Sequence, residues 1–103
     1  MKIELYKNGN LVLSQEGKLI DKDAVFGNIV YNIENHTLTR EDGSYRYYLN
    51  FDNNEAVIKL KEYDQELDLT IKTTSIKCDN KTHEIAYNIE SEQTIENNLK
   101  VIF

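Results

Sequence analysis

A chain of 103 residues holds a single domain, 1–103, because one hydrophobic core ordinarily organises about 100–150 residues. With 40% apolar and 29% charged residues it can bury such a core, which excludes a disordered chain. Eighteen acidic against twelve basic residues leave a net charge of −6, and Lys and Arg are scattered singly, so phosphate backbones and anionic membranes are repelled.

The opening MKIELYKNGN carries no apolar run of leader length, and no stretch approaches the ~18 apolar residues of a membrane span. Cys78 is the one cysteine and has no internal partner. Together these features lead to the expectation of a cytoplasmic protein.

Taken in order, apolar residues alternate with polar ones at period two. The pattern predicts strands near 2–6, 11–20, 27–34, 37–41, 44–51, 55–63, 66–73, 75–79, 83–90 and 95–103. Turn chemistry closes them at Asn8-Gly9-Asn10, Asn35-His36, Asp42-Gly43, Asp52-Asn53-Asn54 and Asp79-Asn80-Lys81. One turn per ten residues or so is the rhythm of antiparallel hairpins in a meander, and predicts an all-β barrel or sandwich rather than parallel βαβ units.

The third strand turns Ile29, Tyr31 and Ile33 to one side. In the fifth, Tyr45, Tyr47, Leu49 and Phe51 share the core face while Ser44, Arg46, Tyr48 and Asn50 share the other. Residues 54–67 also place Ala56, Leu60, Tyr63 and Leu67 at helical spacing. The alternation of Ala56, Ile58 and Leu60, with a turn at 63–65, favours a strand and hairpin. Next, Leu67, Leu69 and Ile71 oppose Glu66, Asp68, Thr70 and Lys72, the mark of a half-buried strand. Glu62, Asp64, Glu66 and Asp68 form a row that lacks the glycine and loop spacing of a calcium site, and reads as a solvated exterior.

Cys78 and His83 flank the last turn with parity that sets them opposite each other across a hairpin. A thiol beside an imidazole is a nucleophile or a pair of metal ligands in other settings. Here no third orienting acid lies on that face, His36 reads as a surface turn residue, and one Cys with two His falls short of a four-ligand zinc set. The expectation is therefore no catalytic residue, no metal and no cofactor. The closing strands repeat the alternation with Ile85, Tyr87 and Ile89, then Leu99, Val101 and Phe103.

From Gly27 onward the pattern resembles a known family. Leu67-Asp68-Leu69-Thr70-Ile71-Lys72-Thr73 is similar to its alternating strand ending in threonine, Tyr87 to its strand tyrosine, and Asn97-Asn98-Leu99-Lys100-Val101 to its closing strand. Leu38-Thr39-Arg40 followed by Gly43 is similar to a family turn, with one residue more between Arg40 and Gly43. The family is the YwiB-like bacterial domain of unknown function, grouped with the calycin (lipocalin-like) barrels. The resemblance implies a bacterial, antiparallel up-and-down barrel of about eight strands with no established activity, and suggests a non-catalytic protein that binds a small, partly apolar molecule in its interior.

The tyrosines that parity turns inward, Tyr31, Tyr45, Tyr47 and Tyr87, are then the candidate ligand contacts. Size pulls the other way, because an eight-stranded barrel is just filled by side chains of this bulk, so any cavity is expected to be small. Two further readings stand beside ligand binding: a solid structural or protein-interaction domain, and an acidic inhibitor that mimics nucleic acid. The partners expected are a small apolar ligand or a protein, with no nucleic acid and no membrane, on a monomer or weak dimer.

Overall fold

The computed structural model describes residues 1–90 and 94–103. Among these the alternating segments form eleven strands. They are β1 (Lys2–Lys7), β2 (Asn10–Glu16), β3 (Lys18–Ile20), β4 (Asp23–Phe26), β5 (Ile29–Asn32) and β6 (Thr37–Glu41). There follow β7 (Tyr45–Asn50), β8 (Glu55–Leu60), β9 (Gln65–Cys78), β10 (Thr82–Ile89) and β11 (Asn97–Ile102). All neighbours are antiparallel, in the order β2-β1-β11-β10-β9-β8-β7-β6-β5-β4-β3. The two terminal strands of that order, β2 and β3, are consecutive in sequence and joined through Gly17, which makes the sheet a nearly closed, up-and-down barrel.

The expected count of about eight strands is corrected to eleven. The segment 11–20 is divided at Gly17 into β2 and β3, and β4 occupies residues that lie between the expected strands 11–20 and 27–34. Its turns rest on Asp21 and Gly27, both at positive φ, which an isolated Asp does not announce. Conversely, 66–73 and 75–79 are one strand, β9. Its pairing passes from β8 to β10 at Thr70/Ile71, and a bulge near Thr74 shifts the register between Ala86/Ser75 and Tyr87/Thr73. An extra residue reverses strand parity. That is why Ile71 and Thr73 share a face with Ile76 and Cys78, although their numbering has opposite parity.

The hairpins form where turn chemistry predicts. Asn8 and Gly9 both adopt positive φ, the requirement of a type I′ turn, and Asn54 does so after Phe51. Asn54 also holds the neighbouring strand: its side-chain carbonyl accepts from the Thr73 amide at 2.9 Å, and the Thr73 hydroxyl donates to the Phe51 carbonyl at 2.7 Å. Residues 54–67 are strand, turn and strand, with Tyr45↔Leu60 and Leu60↔Gln65 in register.

The core is concentrated at one level of the barrel, where Ile3, Phe26, Ile29, Tyr31, Phe51, Ile71, Ile85, Leu99 and Val101 are all but inaccessible. Burial falls away along strands that point out of this belt. From Ile71 through Leu69 to Leu67 the exposure rises from 1% through half-buried to 54%. Leu69→Ala is therefore expected to cost about 2 kcal/mol, the low end for a core leucine, and Asp68→Ala less than about 0.5. Urea melts of the two variants check the facing of β9, and equal losses would contradict it.

Candidate functional site: an interior cleft

Beyond the belt the two sides of the barrel separate, and a cleft of about 550 Å³ lies between them. Its apolar walls come from Leu5 and Leu13 on one side, Leu49 and Ile58 on the other, and Leu69 and Ile89. Exposed Val12 and Lys7 mark where it meets solvent. The expectation of a small cavity is thus corrected. Most of the large rings lie elsewhere: Tyr31 and Phe51 in the buried belt, Phe103 beyond it, and Tyr45 at the rim with 41% exposure, which leaves Tyr47 and Tyr87 in the lining.

The four candidate tyrosines divide accordingly. Tyr47 and Tyr87 line the cleft. Tyr31 is fully buried, and its hydroxyl is 2.9 Å from His83 Nδ1, so it faces the other end of the barrel. Tyr45 is exposed beside Tyr47, their ring centroids 6.1 Å apart, and is not part of the lining.

Two polar side chains that the sequence reading passed over complete the cleft. Arg40 shares the inward parity of Leu38, and Asn97 that of Leu99 and Val101. Both line the cavity, and among the described residues Arg40 Nε and Asn97 Nδ2 are buried without a hydrogen-bond partner. The nearest carboxylate, Asp42 Oδ1, is 3.8 Å from Arg40 Nε, close enough for attraction but not for a hydrogen bond. Two donors left unmet in a cavity are costly unless an acceptor is supplied. The ionised lining groups are Lys7 and Arg40 against Asp42, so the cleft is locally cationic in a chain of net charge −6.

Burial pushes the Tyr87 phenol up to about 12, against a smaller opposing pull from the Arg40 charge, so it stays a neutral donor at physiological pH. Burial also raises Tyr31. Because the folded state holds these protons more tightly than the unfolded chain, its stability is complete below about pH 10 and falls as pH climbs through the folded values. The expected loss for Tyr87 between about pH 10 and 12 approaches about 1.4 kcal/mol per pH unit. Urea melts across that range should show a shallower decline for Tyr87→Phe; an unchanged slope would contradict the assignment.

At the opposite end of the barrel a second polar cluster gathers His36, Cys78 and His83. Cys78 and His83 are direct partners across the β9–β10 hairpin, as their parity predicts. His36 reaches them from the turn before β6, a long-range approach that no local spacing reveals. Burial raises the Cys78 thiol, helped by the Asp52 and Asp79 carboxylates, and lowers His83, with the neighbouring His36 adding to the effect.

No family model, curated protein or solved structure matches the chain. Its class is defined by its own architecture: an all-β, antiparallel, nearly closed barrel with an interior cleft. No helix among the described residues is long and apolar enough to cross a membrane.

Proposed function

We propose that the protein is a non-catalytic bacterial, cytoplasmic barrel that binds a small, partly apolar molecule bearing an acceptor head group, a carboxylate above all. The observation that carries this reading is the cleft of about 550 Å³ whose walls are largely aliphatic and whose two buried donors, Arg40 Nε and Asn97 Nδ2, lack partners among the described residues. Its volume lies within the roughly 300–1,000 Å³ usual for small-molecule sites. The apolar tail would lie along Leu13, Leu49, Ile58 and Ile89, and the head would take hydrogen bonds from Arg40 and Asn97. A lipocalin-like role agrees with the YwiB-like resemblance.

Calorimetry with a medium-chain fatty acid and its methyl ester tests the proposal. One acid per chain is expected, with the ester weaker, and Arg40→Met should cost about tenfold in affinity, the scale of one hydrogen bond to a charged group. Absence of saturable binding of either compound would refute it.

A protein-interaction role has one observation in its favour, the exposed Leu19 and Ile20 on the short terminal strand β3. Sedimentation over a concentration series is expected to show a monomer; a tight dimer abolished by Ile20→Lys would favour that second reading instead.

A further inference from the structure

We propose that His36, Cys78 and His83 form a binding site for a late first-row transition-metal cation, Zn²⁺ being the best fit, at the end of the barrel opposite the cleft. One ligand atom from each residue lies within 4.8 Å of the other two, and Cys78 Sγ is 3.7 Å from His36 Nε2. Around tetrahedral zinc, bonds of about 2.3 Å to sulfur and 2.0–2.1 Å to nitrogen put neighbouring donors roughly 3.3–3.6 Å apart. The thiol and the His36 ring already have nearly that separation. The remaining contraction, from separations of up to 4.8 Å, is at most about 1.5 Å and within reach of side-chain rotation.

The surroundings are those of a metal centre as much as the ligands are. His36 Nδ1 is 3.1 Å from both carboxylate oxygens of Asp52, so that nitrogen carries the proton and donates it, leaving the Nε2 lone pair turned toward the thiol. Carboxylate–imidazole–metal relays of this kind orient the ring and raise its basicity. His83 is held in turn by the Tyr31 hydroxyl at 2.9 Å and by the edge-on Phe103 ring, with centroids 5.1 Å apart. The His36 and His83 rings meet at 5.8 Å.

The backbone preorganises all three positions. Asp79 Oδ1 accepts from the amides of Lys81 and Thr82 at 2.7 and 2.8 Å, which locks the turn between Cys78 and His83. The His36 amide donates to Asn32 O and its carbonyl accepts from the Phe51 amide, each at 3.1 Å. Cys78 is exposed, so the cation has an entry path. On binding, the thiol gives its proton to solvent and its sulfur pair forms the metal bond, while each imidazole contributes a neutral nitrogen. Three protein ligands leave one position for water or an outside ligand. The soft sulfur with two imidazoles selects zinc, copper, nickel or cobalt over magnesium and calcium.

This site is independent of the cleft. On β10, His83 and Tyr87 are separated by about 13 Å of strand, with Ile85 of the buried belt between them.

The test is titration of the reduced protein with Co²⁺ followed by displacement with Zn²⁺, together with Zn²⁺ calorimetry. One ion per chain is expected, with a thiolate-to-cobalt charge-transfer band and the intense visible absorption of tetrahedral cobalt. Cys78→Ser should abolish that band and weaken Zn²⁺ binding at least tenfold. His36→Ala should do likewise for affinity, and Asp52→Asn, which touches no ion, should weaken it about tenfold by releasing the His36 ring. All three changes are at exposed or half-exposed positions, and circular dichroism confirms that each variant keeps its fold. Failure of Zn²⁺ to bind, or binding that Cys78→Ser leaves within twofold of the parent, overturns the proposal.

Discussion

Phe51→Ala is expected to cost about 3–5 kcal/mol, and Tyr45→Ala less than about 1, although Phe51, just past the end of β7, continues the parity of Tyr45. Phe51 is 1% exposed and packs on Tyr87 with ring centroids 5.0 Å apart, inside the belt where both sides of the barrel meet. Removing it leaves a cavity that cannot collapse, because Thr73 and Asn54 pin the surrounding backbone. Tyr45 stands at the open end, 41% exposed, and its loss empties no core. Guanidinium melts of the two variants measure the difference. Similar losses would mean that the barrel is solid to its end and that the cleft is not there.

Gly17→Ala is expected to cost about 3 kcal/mol, the upper range for forcing atoms into a packed site. Gly17 joins β2 to β3, and a Cβ there would sink into the Val25 carbonyl oxygen and the Phe26 ring. Neither can yield cheaply: Val25 is held in the ladder opposite Lys18, and Phe26 is fully buried. The Gly17 amide also donates to Met1 O at 3.0 Å, so the glycine cannot swing away without losing a bond. Gly43→Ala is the control, since nothing lies within 4 Å of the new methyl, and it should stay within about 0.5 kcal/mol. Equal melting of the two variants would contradict the close approach that nearly closes the barrel.

Much of this architecture is legible in alternation alone, because strand parity is a local property. Ile29, Tyr31, Ile85, Leu99 and Val101 face inward as their spacing dictates, and Cys78 meets His83. Parity says which way a side chain points but not how deep along the barrel it lies. Tyr45 and Phe51 are therefore equivalent in sequence and opposite in burial. The same limit hid the cleft, since the volume depends on where large rings are placed along the barrel.

Arg40 and Asn97 could have been found. Each is a polar residue at an inward position of an otherwise apolar strand face, and such a residue needs a partner. The approach of His36 to Cys78 was out of reach of local spacing, because it joins positions far apart in the chain through the closure of the sheet.

The central claim is that the cleft is a binding site, and methyl NMR of the protein titrated with a medium-chain fatty acid tests it most directly. The predicted result is saturable shifts confined to the methyls of Leu13, Leu49, Ile58, Leu69 and Ile89, with Ile3, Ile29 and Val101 of the buried belt unmoved. Shifts absent at saturating acid, or spread over exposed Leu11, Leu19 and Ile20 instead, would contradict it.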